Sequence, residues 1–278
     1  MPRVGASSHG ESRLHMLRIV KRGDRHDPRD LTVSCRMEGD FGAFAGGRID
    51  VLPGEAVKNL VHATARAHGN GDIERFGLAL CEVLLARLAR ATRVRVEIAE
   101  QIWSRLEVGG KAQGQAFALG SPEHRTAAVT SNRDQIAVVS GLRDLTVMRT
   151  SGFAPARPAD EDASGWADGL QRLLVAALSA RWTYTSADVT FGPYRQGVRA
   201  AIVDTVAAHA RASVYHTLYS IADVVLSSYA EIAEITLTMN ERPYRPADLF
   251  SAGLENPDDL FVAIEEPVGV VEVTVERE

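Results

Sequence analysis

The chain has 278 residues, 45% of them hydrophobic and 24% charged, with a formal net charge of -5 and a pI near 5.9. That is the composition of a folded globular protein with room for one large domain or two ordinary ones. The acidic balance excludes a general affinity for nucleic acid or for an anionic membrane surface. No apolar run approaches the ~20 residues of a spanning helix. The polar stretch 1–13 lacks the apolar core of a secretion signal, and the last four residues carry no receptor-read address. A cytoplasmic protein with a disordered lead-in at 1–13 is the expectation. The two cysteines, Cys35 and Cys81, have no metal-ligand spacing and lie in apolar-patterned segments, as buried structural thiols do.

In chain order, residues 14–21 and 31–38 read as two strands joined by a charged turn. Leu31, Val33, Cys35 and Met37 alternate with polar neighbours, so one face of the second strand is buried. Helical spacing follows in 55–68 (Val57, Leu60, Val61, Ala65) and in 72–90 (Ile73, Phe76, Leu80, Leu84, Leu88). Asn70-Gly71 ends the first helix, and Asp72 stands where a cap for the second is needed. Strands are expected at 94–98, 115–119, 126–130 and 135–139. Residues 145–149 open a second series: a loop at 153–164, a helix at 165–180, a strand at 182–190, helices at 194–211 and 213–228, then strands at 232–238 and 268–275. The order of two strands, a helix pair and further strands thus occurs twice. Grouped strands and grouped helices predict an α+β fold with helices on one face of an antiparallel sheet, as modules 14–139 and 140–278.

Chemistry is harder to read from pattern alone. His9 and His15 lie near the chain end, His62 and His68 fall on different faces of one helix, and His209 and His216 flank a helix junction. None of these forms a metal-ligand set, so no metal is expected. There is no Gly-x-Ser-x-Gly elbow, and Gly46-Gly47 and Gly109-Gly110 read as turns rather than phosphate cradles.

A family resemblance goes further. The run Ser140-Gly141-Leu142-Arg143-Asp144-Leu145-Thr146-Val147-Met148-Arg149-Thr150-Ser151-Gly152-Phe153 resembles a urate oxidase stretch. Gly39-Asp40-Phe41, Val57-Lys58-Asn59, Trp103-x-Arg105, Ala212-Ser213-Val214, Asp248-Leu249 and Glu255-Asn256 match as well, in family order over about 240 residues. The resemblance implies a tandem tunnelling fold, a homotetramer, a site at the subunit interface, and catalysis with no metal or organic cofactor. It implies that Phe153 stacks on a flat heterocycle, that Arg172 clamps its edge, and that the backbone N–H of Val214 reaches it. A fixed aromatic face and a planar five-donor guanidinium suit an electron-rich, anionic ring.

Other matched positions depart from the family. Its Lys becomes Glu11, in His9-Gly10-Glu11, and its Thr becomes Gly54. Its Gln becomes Tyr215, and its Asn and His become Glu241 and Pro243. Glu11 reverses the charge that polarises a hydroxyl, Gly54 has no hydroxyl, and Pro243 carries no proton. Groups that act as a unit fail together. The expectation is a cofactor-free oxidase of a purine-like heterocycle other than urate, with dioxygen as co-substrate and Glu11 and Glu241 as new acid–base groups. Two alternatives stay open: a non-catalytic paralogue, and a true urate oxidase with substitute residues. In the bland reading Glu11, Glu55 and Glu241 are solvated charges, while Tyr215 is either a substrate-binding wall of a reshaped pocket or a filler of the core.

Overall fold

The period-two pattern of residues 31–37 does what a half-buried strand requires. Leu31, Val33, Cys35 and Met37 are all at most 4% exposed, and their register partners across the sheet are Glu100, Ile98, Val96 and Val94. The computed structural model describes residues 7–41, 51–150, 173–208, 213–257, 259–265 and 269–277. Two units divide the chain. Residues 1–142 with 183–193 form the first, and residues 143–182 with 194–278 form the second.

In the first unit the strands β1 (Ser7–Arg22), β2 (Arg25–Gly39), β3 (Ala91–Val108), β4 (Lys111–Asn132) and the start of β5 (Ile136–Arg149) lie side by side in that order. β1 to β4 pair antiparallel. Helices α1 (Gly54–His68) and α2 (Ile73–Arg87) cover one face. Val57 and Val61 from α1, and Phe76, Leu80 and Leu84 from α2, complete a core with Val94, Val96 and Val129. Approach is close enough that a Cβ on Gly77 of α2 would stand 2.8 Å from Val129 Cγ2. Only glycine lets the helix sit that near the sheet.

The second unit orders β5, β6 (Leu174–Tyr184), β7 (Ile232–Glu241) and β10 (Val270–Glu276). Its helices are α3 (Phe191–Ala208) and α4 (Val214–Ser228). The short strands β8 (Tyr244–Pro246) and β9 (Phe261–Ala263) pair apart from this sheet. Trp182, Leu178, Leu218, Ile221, Leu237 and Met239 are wholly buried. Arg277 closes the C-terminus of α4, donating to the carbonyls of Leu226 (2.5 Å) and Tyr229 (2.6 Å), which meets the need of the last helical carbonyls for donors.

Five readings of the sequence change. Residues 7–13, expected in a disordered lead-in, belong to β1, because β2 runs on far enough to satisfy their backbone, with Ser7 opposite Gly39. Residues 174–180, expected in a helix, are strand β6; their apolar run is buried on both faces, a pattern that does not distinguish a core strand from a core helix. The strand expected at 182–190 stops at Tyr184, and 165–172 lie outside the described residues. The candidates at 115–119 and 126–130 are one strand, β4, whose pairing shifts register between Gln101 and Trp103. Similarly, 135–139 and 145–149 fall within β5, which contains Asp144 at φ 62°.

Candidate functional site

Glu11 lies in the middle of β1, opposite Cys35. Immediately after it the strand bulges: the register steps from Glu11 to Leu14, and Arg13 takes a left-handed φ of 58°. The Arg13 N–H donates to Ser34 Oγ at 3.0 Å. One extra residue in a strand re-aims the side chains around it, and bulges gather beside functional sites. Here the extra residue keeps both Glu11 and Leu14 half-buried although they are three residues apart.

The carboxylate of Glu11 reaches the first residue of α1. A Cβ on Gly54 would collide with Glu11 Oε1 and would stand 3.3 Å from Glu11 Cδ. The start of α1 is capped by Pro53, which gives it no side-chain hydrogen bond. Unpaired N–H groups and the positive end of the helix dipole make this a favourable place for a carboxylate, typically by ~0.3–1 kcal/mol when exposed. The sequence presented Glu11 as a reversed charge and Gly54 as a lost hydroxyl. The structure joins them into one arrangement, in which the glycine provides the space that the acid occupies.

His9 stands two residues before Glu11, on the same face of β1 by strand alternation. Its ring meets Phe41 edge-on, with centroids 4.6 Å apart at 90°. Neither ring nitrogen has a hydrogen-bond partner, and both are buried. Burial pushes its imidazole below the ordinary 6.5. His9, Gly10 and Glu11 line an open cleft of about 440 Å³ with Ser34, Arg36, Arg95 and Glu97. Sequence reading set His9 aside as lying near a chain end. Among the described residues no cluster of three or more His, Cys, Asp or Glu could hold a metal ion. Desolvation pushes the Cys81 thiol up to about 12 and raises Cys35 as well, so both buried cysteines are poor nucleophiles.

In the second unit, Val214 opens α4 and is 3% exposed. Ser213 caps the helix by accepting from the His216 N–H at 3.3 Å, so the Val214 N–H stands at the helix start, where no intrahelical acceptor exists. Tyr215 is 55% exposed, which corrects its reading as a core filler; position two of the helix points it away from the buried stripe of Val214, Leu218 and Ile221. Glu241 ends β7, its N–H donating to Gly269 O at 2.8 Å. Pro243 follows, and its carbonyl accepts from the Ile264 N–H at 2.9 Å. Phe153 and Arg172 lie outside the described residues, as does His209.

Burial raises the carboxyl of Glu241 above its ordinary 4.5, with desolvation as the cause. A carboxyl raised by folding binds more protons in the folded state, so stability falls as pH rises through 4.5 and through the raised value. Glu241→Gln removes that penalty. Its melting temperature should exceed that of the parent at pH 7, and the difference should vanish below pH 4.5, as differential scanning calorimetry at the two pH values will show.

An antiparallel sheet backed by paired helices, met once in each unit, defines an α+β protein of the tunnelling-fold class. The uricase family model matches residues 138–272. The chain is 27% identical to a uricase of Arthrobacter globiformis over 99% of this chain and 90% of that one. It is 28% identical to a uricase of Danio rerio over 98% and 94%. The crystal structure of the Arthrobacter globiformis uricase superposes with a TM-score of 0.89 at 26% identity, covering 100% of this chain and 96% of that one. A Bacillus urate oxidase shares the fold at a TM-score of 0.83 and 16% identity. The chain is thus similar to uricases over nearly its whole length and shares their fold.

Proposed function

We propose that this chain is a uricase-family oxidase that binds a flat nitrogen heterocycle and acts on a substrate other than urate, with no metal or organic cofactor. The observation that carries this reading is the pairing of Glu11 with Gly54, which fills with an acid the place where the resemblance implies a Lys and a Thr. A cation beside a hydroxyl delivers positive charge to a proton relay. A carboxylate at that place accepts hydrogen bonds and protons, so it favours a ring edge rich in N–H or amino donors over the acceptor-rich edge of an anionic oxopurine. Glu241, whose carboxyl burial raises above its ordinary 4.5, is the second acid–base group in this reading. The N–H of Val214 positions the ring and Tyr215 offers a single hydroxyl to its edge. Phe153 and Arg172 are assigned stacking and clamping by the resemblance. The functional form proposed is a homotetramer, with dioxygen as oxidant.

Two measurements test the reading. Urate absorbance followed with purified protein should fall no faster than in the blank. Titration calorimetry against purines, pteridines and azapurines should give binding for at least one ring that bears an amino group. Oxidation of urate at the rate of an ordinary uricase would overturn the substrate assignment, and binding by no member of the panel would overturn the whole reading.

A further inference from the structure

We propose that the open face of the first sheet carries an oxyanion site, in which the guanidinium groups of Arg36 and Arg95 hold a phosphate group, free or carried by a small molecule. The site lies on the opposite side of β1–β3 from the Glu11 carboxylate and does not depend on the heterocycle reading. Strand alternation assigns the faces. Val33, Cys35 and Met37 on β2 and Val94, Val96 and Ile98 on β3 are buried on the side that the helices cover. Ser34, Arg36, Arg95 and Glu97 therefore face the other way, and all four line the cleft of about 440 Å³. On β1 the exposed residues Ser8, Gly10 and Ser12 complete its lining.

Charge carries the assignment. Arg36 and Arg95 are direct cross-strand partners; Cβ atoms in such a pair are ~4.5–5.5 Å apart, and like charges so placed repel. The neighbouring acids do not relieve Arg36. Glu38 stands 4.0 Å from Arg93 Nη1, and Glu97 Oε1 accepts from Arg95 Nε at 3.1 Å and from Arg95 Nη2 at 2.7 Å. Among the described residues, the Arg36 guanidinium and Nη1 of Arg95 keep their donors for a ligand. An oxyanion between the two arginines turns repulsion into attraction, because a guanidinium presents paired donors that match two phosphate oxygens. Gly10, the register partner of Arg36 on β1, has no side chain to fill the gap, and a Cβ there would collide with the Cys35 carbonyl oxygen. At the bulge Ser34 Oγ accepts from the Arg13 N–H, which leaves the serine's own hydroxyl hydrogen to donate.

Titration of the full chain with inorganic phosphate and with glucose 6-phosphate, followed by 31P NMR at fixed ionic strength, tests the site. At least one of the two should saturate at one equivalent per chain. Saturation by the sugar phosphate alone assigns the site to a carried phosphate group, and saturation by inorganic phosphate alone assigns it to the free anion. Arg36→Gln should weaken binding at least tenfold, the effect of roughly 1.4 kcal/mol. Lys21→Gln removes a positive charge near the far end of β1, ~35 Å away at ~3.3 Å per residue, and should change binding by less than twofold. Melting separates lost binding from lost folding. Arg36→Gln relieves the cross-strand repulsion, so without phosphate it should melt above the parent. Phosphate should then raise the melting temperature of the parent and leave that of the variant where it was. Saturation by neither ligand would overturn the site. So would equal weakening by Arg36→Gln and Lys21→Gln, which would mean that positive charge attracts the anion from anywhere on the surface.

Discussion

Gly54→Ala should leave the protein folded and remove most of its turnover. Residue 54 opens α1, where alanine is a better helix former than glycine and lowers the entropy of the unfolded chain by an amount worth ~0.4–1 kcal/mol. The group that the new methyl meets is the end of the Glu11 side chain, which is flexible and swings aside at little cost. Melting temperature should therefore change by no more than about 2–4 °C, the shift that ~1 kcal/mol produces in a chain of this size. Function should respond differently, because the methyl takes the space in which the Glu11 carboxylate stands. Loss of a positioned acid–base group costs ~10²–10⁴ in rate. In a Glu11→Ala background the same Gly54→Ala change should have no further effect, since nothing remains to displace. Turnover of the heterocycle found by calorimetry, measured for the four members of this cycle, checks the coupling. Independent effects at the two positions would show that the carboxylate does not act from where it stands.

The largest loss of stability is expected from Glu100→Ala. Glu100 is 5% exposed on β3 and lies 2.7 Å from Arg29 Nε and 3.5 Å from Arg125 Nη1. Arg29 is itself largely covered, with a side-chain exposure of 17%. Removing one partner of a buried pair leaves the other charge without compensation, at a cost of ~3–5 kcal/mol. At about 2–4 °C per kcal/mol, the melting temperature should fall by roughly 6–20 °C. Glu97→Ala offers the control: its pair with Arg95 is about half exposed on both sides, and such pairs are worth ~0–1 kcal/mol. Thermal melts of both variants decide the point, and equal losses would mean that burial does not set the strength of these pairs.

Much of the fold was legible because burial writes a period into the chain. The alternation from Leu31 to Met37 gave β2, and helical spacing gave α1 and α4 within one residue of their ends and α2 within three. Periodicity failed at residues 174–180 for a physical reason. A segment covered on both sides has no polar face, so its pattern does not tell a strand from a helix, and only its pairing in the sheet makes it β6. Residues 7–13 escaped notice in a related way. Their order comes from β2, a partner distant in sequence, and not from their own composition.

The candidate site divides along the same line. The sequence by itself determined which chemical groups are present: Glu11 and Gly54 where the resemblance implies Lys and Thr, Glu241 and Pro243 in place of Asn and His, and Val214 retained. Composition and motif order are properties of the covalent chain and need no folding to be read. Only the tertiary structure decided how those groups bear on one another. It brought the acid on β1 to the start of a helix 43 residues away, placed His9 against Phe41, and buried Glu241 enough to raise its carboxyl. Contact, desolvation and orientation are through-space quantities, and the chain acquires them only when β1 pairs with β2 and α1 packs against their shared face.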